Sequence, residues 1–415
     1  MKSMGASFLQ ACSRILRVFA GPLHRNTFYI ATSKLLNTGA GFVFWVLAAR
    51  FYQIGEVGIA SVMISTLGLV MMFSRFGLDY SVVRFLPCGN KTKVFNTCLW
   101  ITTLSAFMFA VIGGSLLSLM SSDTTILASF GAIIIFAMIA TAESMALVSG
   151  NALNGLRKSR AYFLTNAFLM SRILCLFLLV GIGALGIVGS IGIAYAITGI
   201  LSLIVLSRYL HLKFAIDRAF LRDSFRFSSM NYVANVLFNA TTLTLPILVL
   251  GMTDETGAAW YFVSFSVAGL LLVVPDSLSM SVLVEGSHGV NLSICAKQAA
   301  TTAMLVLIPA SACFWFFGRN LLALFGNQYV DATELLRILA VTSPLVALYL
   351  IYISIQNVRY RVMSLVKTNL ARFISIITLS YILVGQMGVI GVGYAWLITH
   401  VGLAVLVMSV FRHRI

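Results

Sequence analysis

The sequence predicts an all-α integral membrane protein in which twelve transmembrane helices form two six-helix lobes, related by a pseudo-two-fold axis along the membrane normal. Of its 415 residues, 60% are hydrophobic and only 10% are charged, a composition that excludes a soluble globular protein. Apolar stretches of about twenty residues, the length that a helix needs to span the hydrocarbon core, recur along the chain. Basic residues collect in alternate connections between these stretches, and this alternation predicts the topology.

The predicted spans divide evenly between the two halves of the chain. Those of the first half cover 27–49, 57–73, 94–120, 126–148, 161–182 and 185–205. Those of the second half cover 227–252, 258–278, 299–317, 335–355, 362–383 and 389–410. The predicted domains are a cytoplasmic N-terminal segment (1–26) with an amphipathic interfacial helix expected over 7–21, a first lobe (27–207), a basic cytoplasmic inter-lobe loop (208–226), a second lobe (227–411) and a cytoplasmic tail (412–415).

The charges alternate from one connection to the next. Most of the 28 Lys and Arg residues lie in the N-terminal segment, the even-numbered connections and the tail, whereas the odd-numbered connections carry acids such as Asp254 and Glu334. By the positive-inside rule both termini are cytoplasmic. The eighth connection fits least well, because Asp276 and Glu285 outnumber Lys297. The net charge of +16 is then a property of the cytoplasmic surface, which attracts anionic membrane lipids and gives no argument for nucleic acid.

Residues for bond-making chemistry are not recognisable in the sequence. The six cysteines show no metal-ligand spacing and are interpreted as small apolar side chains. No phosphate-cradling glycine-rich loop and no pair of catalytic carboxylates occurs. We therefore expect no catalytic residue, no metal and no cofactor, and a membrane-embedded glycan-modifying enzyme is the third of three function classes considered.

An internal repeat relates the two halves. The motif Gly-Ser-Ile-Gly-Ile-Ala-Tyr-Ala at 189–196 resembles Gly-Val-Ile-Gly-Val-Gly-Tyr-Ala at 388–395, and upstream Arg172 matches Arg372 with a slip of one residue. Because each half contains an even number of spans, the two copies have the same orientation in the membrane. A cavity between two such lobes is typical of transporters more often than of channels or receptors.

Three basic residues, Lys34, Arg172 and Arg372, lie inside predicted spans, where a basic side chain costs roughly 2.5 to 3.5 kcal/mol at the helix centre. One interpretation is a cavity that binds an anion such as a diphosphate. The other is that these long side chains reach the cytoplasmic interface, or that Arg172 pairs with Glu143 on the preceding span. Both interpretations remain open at this point.

Polar residues at helical spacing accompany these charges. They are Asn37 in the first span, Asn231, Asn235 and Asn239 in the seventh, and Thr368 in the eleventh. Amides both donate and accept hydrogen bonds, as a hydroxyl-rich sugar requires. The alternative is hydrogen bonding between helices. Glu143 and His400 are candidates for ion coupling, although a lone histidine is more often structural.

Several loosely matching segments occur in one order along the chain. They are Leu-Ala-Ala-Arg-Phe-Tyr-Gln-Ile-Gly-Glu-Val-Gly at 47–58, Phe-Gly-Leu-Asp-Tyr-Ser-Val-Val-Arg-Phe at 76–85, Arg-Asp-Ser-Phe-Arg-Phe-Ser at 222–228, Gly-Ala-Ala-Trp-Tyr at 257–261 with Val-Pro at 274–275, and the external turn at 324–339. With these segments, the chain resembles the polysaccharide transporter, or O-antigen flippase, family of the multidrug/oligosaccharidyl-lipid/polysaccharide exporter superfamily over nearly its whole length.

The resemblance implies a flippase of the bacterial or archaeal inner (cytoplasmic) membrane. Its expected substrate is a polyprenyl-diphosphate-linked oligosaccharide, such as an O-antigen repeat unit of lipopolysaccharide, moved to the outer leaflet by alternating access. A polysaccharide polymerase and a chain-length regulator are further expected partners. The lipid II flippase branch usually has fourteen spans, so twelve spans disfavour it. A cation-coupled multidrug exporter, which shares twelve spans, is the second function class.

Overall fold

The computed structural model describes residues 22–87, 90–120, 127, 129–287 and 290–414 of the chain, and this part is helical without any β-strand. The interfacial helix predicted over 7–21 lies outside the described residues. The helices of the first half are α1 (Pro22–Phe51), α2 (Ile54–Arg75), α3 (Leu78–Phe85), α4 (Lys91–Met120), α5 (Phe130–Gly155), α6 (Ser159–Ala167), α7 (Ser171–Leu178) and α8 (Ala184–Leu206). Those of the second half are α9 (Arg218–Met252), α10 (Glu255–Ser287), α11 (Leu292–Ala323), α12 (Thr333–Val358), α13 (Val362–Met387) and α14 (Ile390–Arg414).

These helices form a membrane-spanning bundle. Eleven helical segments of the described residues are long and apolar enough to cross a bilayer. Two described helices are outside this set: α3, which has only 8 residues, and α1, which with 30 residues has the necessary length but is made more polar by Lys34 and Asn37. Large apolar side chains such as Leu119 and Phe316, exposed to 81% and 74%, cover the outside of the bundle. Such a surface is compatible with lipid and not with water.

The packing repeats between the two halves. Helix α4 packs on α5 as α11 packs on α12, α5 on α8 as α12 on α14, and α1 on α6 as α9 on α13. Each half also has its own large hydrophobic core. The chain therefore contains two lobes of like construction, with α2 running along both α9 and α10 of the second lobe.

The fifth span differs from the continuous helix that the hydropathy predicts over 161–182. It consists of α6, a 3₁₀ turn at Phe168–Met170, α7 and a second 3₁₀ turn at Val180–Ile182. The hydroxyl of Tyr52 donates to the carbonyl of Leu176 at 2.8 Å. This bond satisfies a carbonyl near the end of α7, so that the chain can leave the α-helical pattern there. The equivalent helix α13 is unbroken over 26 residues.

Two helix boundaries also differ from the hydropathy pattern. Helix α9 begins at Arg218, inside the segment 208–226 that was predicted to be a loop. Helix α10 continues to Ser287, nine residues beyond the predicted end of its span at 278, and therefore contains Glu285, which the sequence placed in the eighth connection. Hydropathy detects only the apolar part of a helix, whereas these helices continue into polar sequence.

The turns before α8 and α14 correct the alignment of the repeat. Gly183 precedes α8 with φ 66° and ψ −144°, and Gly388 precedes α14 with φ 62° and ψ −151°. The sequence comparison paired Gly189 with Gly388 instead, an offset of about two helical turns. A short pattern of glycines matches in several registers, and only the backbone conformation distinguishes them.

We expect Gly183→Ala to reduce the free energy of unfolding by about 1–3 kcal/mol, because its conformation is essentially restricted to glycine. An added Cβ would also lie 3.0 Å from a carboxylate oxygen of Glu56. The matched control is Gly181→Ala, where a Cβ meets no atom within 4 Å. The thermal midpoint of the purified protein in detergent, followed by size-exclusion chromatography, measures the difference. Equal midpoints for the two variants would contradict the argument.

Candidate translocation cavity

A cavity of about 590 Å³ lies between the α2–α3 turn and α3 of the first lobe and four helices of the second lobe. Its volume is within the range of small-molecule sites, about 300–1,000 Å³. It is located at the end of the bundle that carries the basic connections. Its lining comprises Gly77, Arg84, Tyr232, Ala234, Asn235, Phe238, Asp276, Ser279, Leu350, Ile353, Ser354, Asn357, Leu365 and Asn369.

The polar part of this lining consists mainly of amides and hydroxyls. Three asparagines, a tyrosine and two serines supply both donors and acceptors. Arg84 and Asp276 are the charged residues among the described lining, so their formal charges cancel. Such a surface suits a neutral, hydroxyl-rich ligand better than a strongly charged one.

Asn369 is a lining residue that the sequence analysis missed. Its Nδ2 donates to the carbonyl of Ala234 at 2.9 Å, and its Oδ1 accepts from the hydroxyl of Tyr349 at 2.5 Å. It therefore ties α13 to α9 and α12. The signal was available as the spacing of Asn369 and Arg372 on one face of α13. Thr368, the lining residue expected on this helix from the sequence, is half-buried and absent from the lining.

The asparagine stripe of α9 only partly faces the cavity. Asn235 is exposed and lines the cavity. Asn239 donates through Nδ2 to the side-chain oxygen of Asn235 at 2.6 Å and to its carbonyl at 2.9 Å. The side chain of Asn231 lies outside what the structure describes. One amide of the stripe thus faces the cavity, while Asn239 bonds within α9 and not, as the alternative expected, to another helix.

Arg372 lies behind the cavity in a cage of aromatic rings. Its guanidinium carbon is 5.0–5.2 Å from the ring centroids of Phe238, Tyr349 and Trp396. One terminal nitrogen donates to the carbonyl of Phe238 at 3.3 Å, while the buried Nε has no partner among the described residues. The residue is only 3% exposed, so it does not reach the cavity in this conformation.

Arg172 has the equivalent contact in the first lobe but remains more open. A terminal nitrogen donates to the carbonyl of Asn37 at 2.8 Å, and its guanidinium is 5.8 Å from the ring of Phe44. Each arginine therefore binds a backbone carbonyl of the first helix of its own lobe. Arg172 is half-buried and Lys34 is exposed on α1, and neither is part of the cavity described above.

The candidates for ion coupling have different surroundings. Glu143 is half-buried, and within the described part of the chain it forms no ion pair, with Arg172 or with any other residue. His400 is fully buried beside the Arg372 cage, where its Nδ1 donates to the carbonyl of Trp396 at 2.8 Å. Its Nε2 has no described partner.

The two lobes meet tightly at the end opposite the basic connections. The Nε of Arg50 donates to the carbonyl of Leu324 at 2.9 Å, and the rings of Trp45 and Phe262 are 4.3 Å apart. A Cβ on Gly58 would lie 1.9 Å from the carbonyl oxygen of Glu255, so only glycine allows this approach. The lobes are closed together at this end.

Comparison with solved structures supports the fold. A lipid II flippase, MurJ, in an inward closed conformation is 14% identical and superposes with a TM-score of 0.76, over 92% of this chain and 87% of that chain. A multidrug resistance transporter of the MATE family in an inward-facing conformation is 15% identical with a TM-score of 0.66, over 94% of both chains. At these identities the likeness concerns the fold alone.

Comparison with known sequences supports the family. An uncharacterised membrane protein of Methanocaldococcus jannaschii is 22% identical over 94% of this chain and 97% of its own length. The model of the family described as polysaccharide biosynthesis protein matches residues 23–284, which is more than half of the chain. The chain is therefore a multi-pass membrane protein that belongs to the polysaccharide biosynthesis protein family.

Proposed function

We propose that this protein is a flippase that moves a polyprenyl-diphosphate-linked oligosaccharide, such as an O-antigen or other surface polysaccharide repeat unit, from the cytoplasmic to the outer leaflet of a bacterial or archaeal cytoplasmic membrane. The observation that carries the proposal is the amide- and hydroxyl-lined cavity at the basic end of the bundle. With about 590 Å³ it accommodates the first sugars of a headgroup while the polyprenyl chain stays in lipid.

The orientation of the protein in the membrane is inferred from its basic connections. If the basic connections are cytoplasmic, the cavity lies on the cytoplasmic side and the closed contact between Arg50 and Leu324 lies on the outer side. Alternating access then requires that the outer contact separates while the cavity closes. The protein moves its substrate without changing a bond, and the polymerase and chain-length regulator act on the product afterwards.

The diphosphate is negatively charged and therefore needs basic side chains as partners, whereas the sugar does not. In this proposal Arg84 in the cavity lining supplies one. Lys34, Arg172 and Arg372, which lie outside the cavity in this conformation, supply the others in another state of the transport cycle. The membrane potential also assists, because moving negative charge out of a cell that is negative inside is favourable by about 2.3 kcal/mol per charge per 100 mV. Outward flipping of a diphosphate could thus proceed without ATP.

The test is a flipping assay with a fluorescent polyprenyl-diphosphate oligosaccharide in vesicles that contain the full chain. We expect Asn235→Ala to reduce the flipping rate about 5- to 10-fold, because a hydrogen-bonding group worth about 1 kcal/mol or more is lost from the cavity. The matched control is Asn320→Ala, an exposed asparagine away from the cavity, at the opposite end of the bundle. Equal flipping rates for the two variants would contradict the proposal that the cavity is part of the transport route.

A cation-coupled drug exporter is the second candidate, because Asp276 places a carboxylate in the cavity. Cationic drugs require such a partner. The same vesicles distinguish the two functions if a lipophilic cation replaces the glycolipid. Potential-sensitive efflux of the cation without movement of the glycolipid would favour the exporter.

A further inference from the structure

The connection between the lobes is hydrogen-bonded to the first turns of α4. Three side chains of α4 form five hydrogen bonds with the backbone of residues 211–217, the segment that we name the strap. Asn96 donates to the carbonyl of His211 at 2.9 Å and accepts from the amide of Lys213 at 3.4 Å. Trp100 donates to the carbonyl of Lys213 at 3.0 Å. Thr97 donates to the carbonyl of Ala215 at 3.5 Å and accepts from the amide of Asp217 at 2.9 Å.

Because these hydrogen bonds use the backbone of the strap, its side chains remain on the surface. All six residues from 211 to 216 are exposed. The backbone groups that bond to α4 belong to every second residue, at 211, 213, 215 and 217, which is the spacing of an extended chain. In such a chain, successive side chains point to opposite sides. One side therefore carries Leu212, Phe214 and Ile216, which are exposed to 43%, 70% and 43%. The other side carries His211, Lys213 and Ala215. The strap is thus an amphipathic extended segment, and on its apolar side the ring of Phe214 contacts the ring of Trp100.

The length of α4 places the strap at the membrane surface. Helix α4 has 30 residues and is about 45 Å long, whereas the hydrocarbon core is about 30 Å thick. About 15 Å of α4 therefore extends beyond the core. Trp100 lies about 14 Å from the beginning of α4 and contacts Phe214 with ring centroids 5.1 Å apart. Tryptophan is enriched at the interface between membrane and water, so the strap lies at the level of the lipid headgroups.

A basic pocket of about 420 Å³ adjoins the strap. It is lined by Lys93, Thr97, Ala215, Ile216, Asp217 and Arg218. The carboxylate of Asp217 accepts from the amide of Phe220 at 3.1 Å and so helps to begin α9. Lys93 and Arg218 are exposed, and Lys213 lies on the neighbouring part of the strap. The pocket thus combines two cations with the apolar side of the strap, at the depth of the lipid phosphate groups.

We propose that the strap and this pocket form a binding surface for the headgroup of an anionic phospholipid. Leu212, Phe214 and Ile216 lie against the acyl chains, while Lys93, Lys213 and Arg218 surround the phosphate. Each cation near an anionic membrane surface contributes favourably. The bound lipid holds the strap against α4, so that the beginning of α9 keeps a constant depth while the lobes move. This surface is separate from the cavity, and the inference does not depend on the proposed substrate.

The first experiment measures which side of the strap faces lipid. Single cysteines at positions 211 to 216, in full-length protein whose native cysteines are replaced, receive a nitroxide label in vesicles with phosphatidylglycerol. We expect collisions with oxygen, which partitions into lipid, to dominate at 212, 214 and 216. Collisions with a water-soluble nickel chelate should dominate at 211, 213 and 215. Uniform access of the nickel chelate to all six positions would overturn the proposal.

The second experiment measures lipid selectivity. We expect phosphatidylglycerol to raise the thermal midpoint of the wild-type protein more than phosphatidylcholine does, and the combined variant Lys93→Gln, Lys213→Gln, Arg218→Gln to lose more than half of this difference. The matched control removes equal charge at the α12–α13 connection and the beginning of α13, as Arg359→Gln, Arg361→Gln, Lys367→Gln. It should keep most of the difference between the two lipids. A full difference in the first variant, or an equal stabilisation by inorganic phosphate alone, would contradict a lipid site.

Discussion

Cysteines at positions 55 and 255 should form a disulfide that stops transport until it is reduced. A Cβ built on Gly55 lies 3.5 Å from the Cβ of Glu255, within the separation that a disulfide requires, about 3.5–4.5 Å. The bond would join α2 to α10 where the lobes are closed together. Because alternating access requires these helices to separate, we expect Gly55→Cys with Glu255→Cys to reduce flipping to the background rate under oxidising conditions and to recover with a reductant.

The controls separate the cross-link from the substitutions. Each single cysteine should keep most of the activity in both redox states. The pair Gly269→Cys with Glu255→Cys should form no bond, because a Cβ at Gly269 meets no atom within 4 Å. Gel mobility before and after reduction measures the extent of cross-linking. Normal flipping by fully cross-linked protein would show that the ends of α2 and α10 at this contact stay together during transport.

The second large effect is expected for Arg372→Met, which should abolish most transport while the protein becomes equally or more stable. The guanidinium is buried among Phe238, Tyr349 and Trp396 without a carboxylate partner among the described residues. Burial of a charge opposes folding unless the charge is well compensated, and an apolar side chain of similar volume is often neutral or stabilising at such a site. A cation kept in an unfavourable position indicates a role in another state of the transport cycle.

We expect the flipping rate of Arg372→Met to fall at least about 10-fold, the equivalent of about 1.4 kcal/mol in the barrier. Arg372→Lys should retain part of the activity, because lysine keeps the charge but loses the planar fork of donors. Flipping and the thermal midpoint are measured on the same preparation. Normal flipping by the methionine variant would make Arg372 a structural residue, and a strongly lowered midpoint would show that its ring and carbonyl contacts stabilise the fold.

The class of the protein followed from local features of the sequence. Spans are visible because each must be apolar over a length that the bilayer dictates, whatever the other helices do. The correspondence of Arg172 with Arg372 was visible because a charge inside a span is rare. In the structure both arginines bind a carbonyl of the first helix of their lobe, at Asn37 and Phe238.

What surrounds each residue was decided by tertiary structure alone. Asn369 and Asp276 line one cavity although more than 90 residues separate them, and Arg372 on the same helix is enclosed by rings from three other helices. No local pattern determines which side of a helix meets a cavity, because that depends on how distant helices pack. The sequence by itself determined a basic, twelve-span protein of two similar halves. Only the packing of those halves decided which polar residues face the cavity, which charge is buried and where the lobes meet.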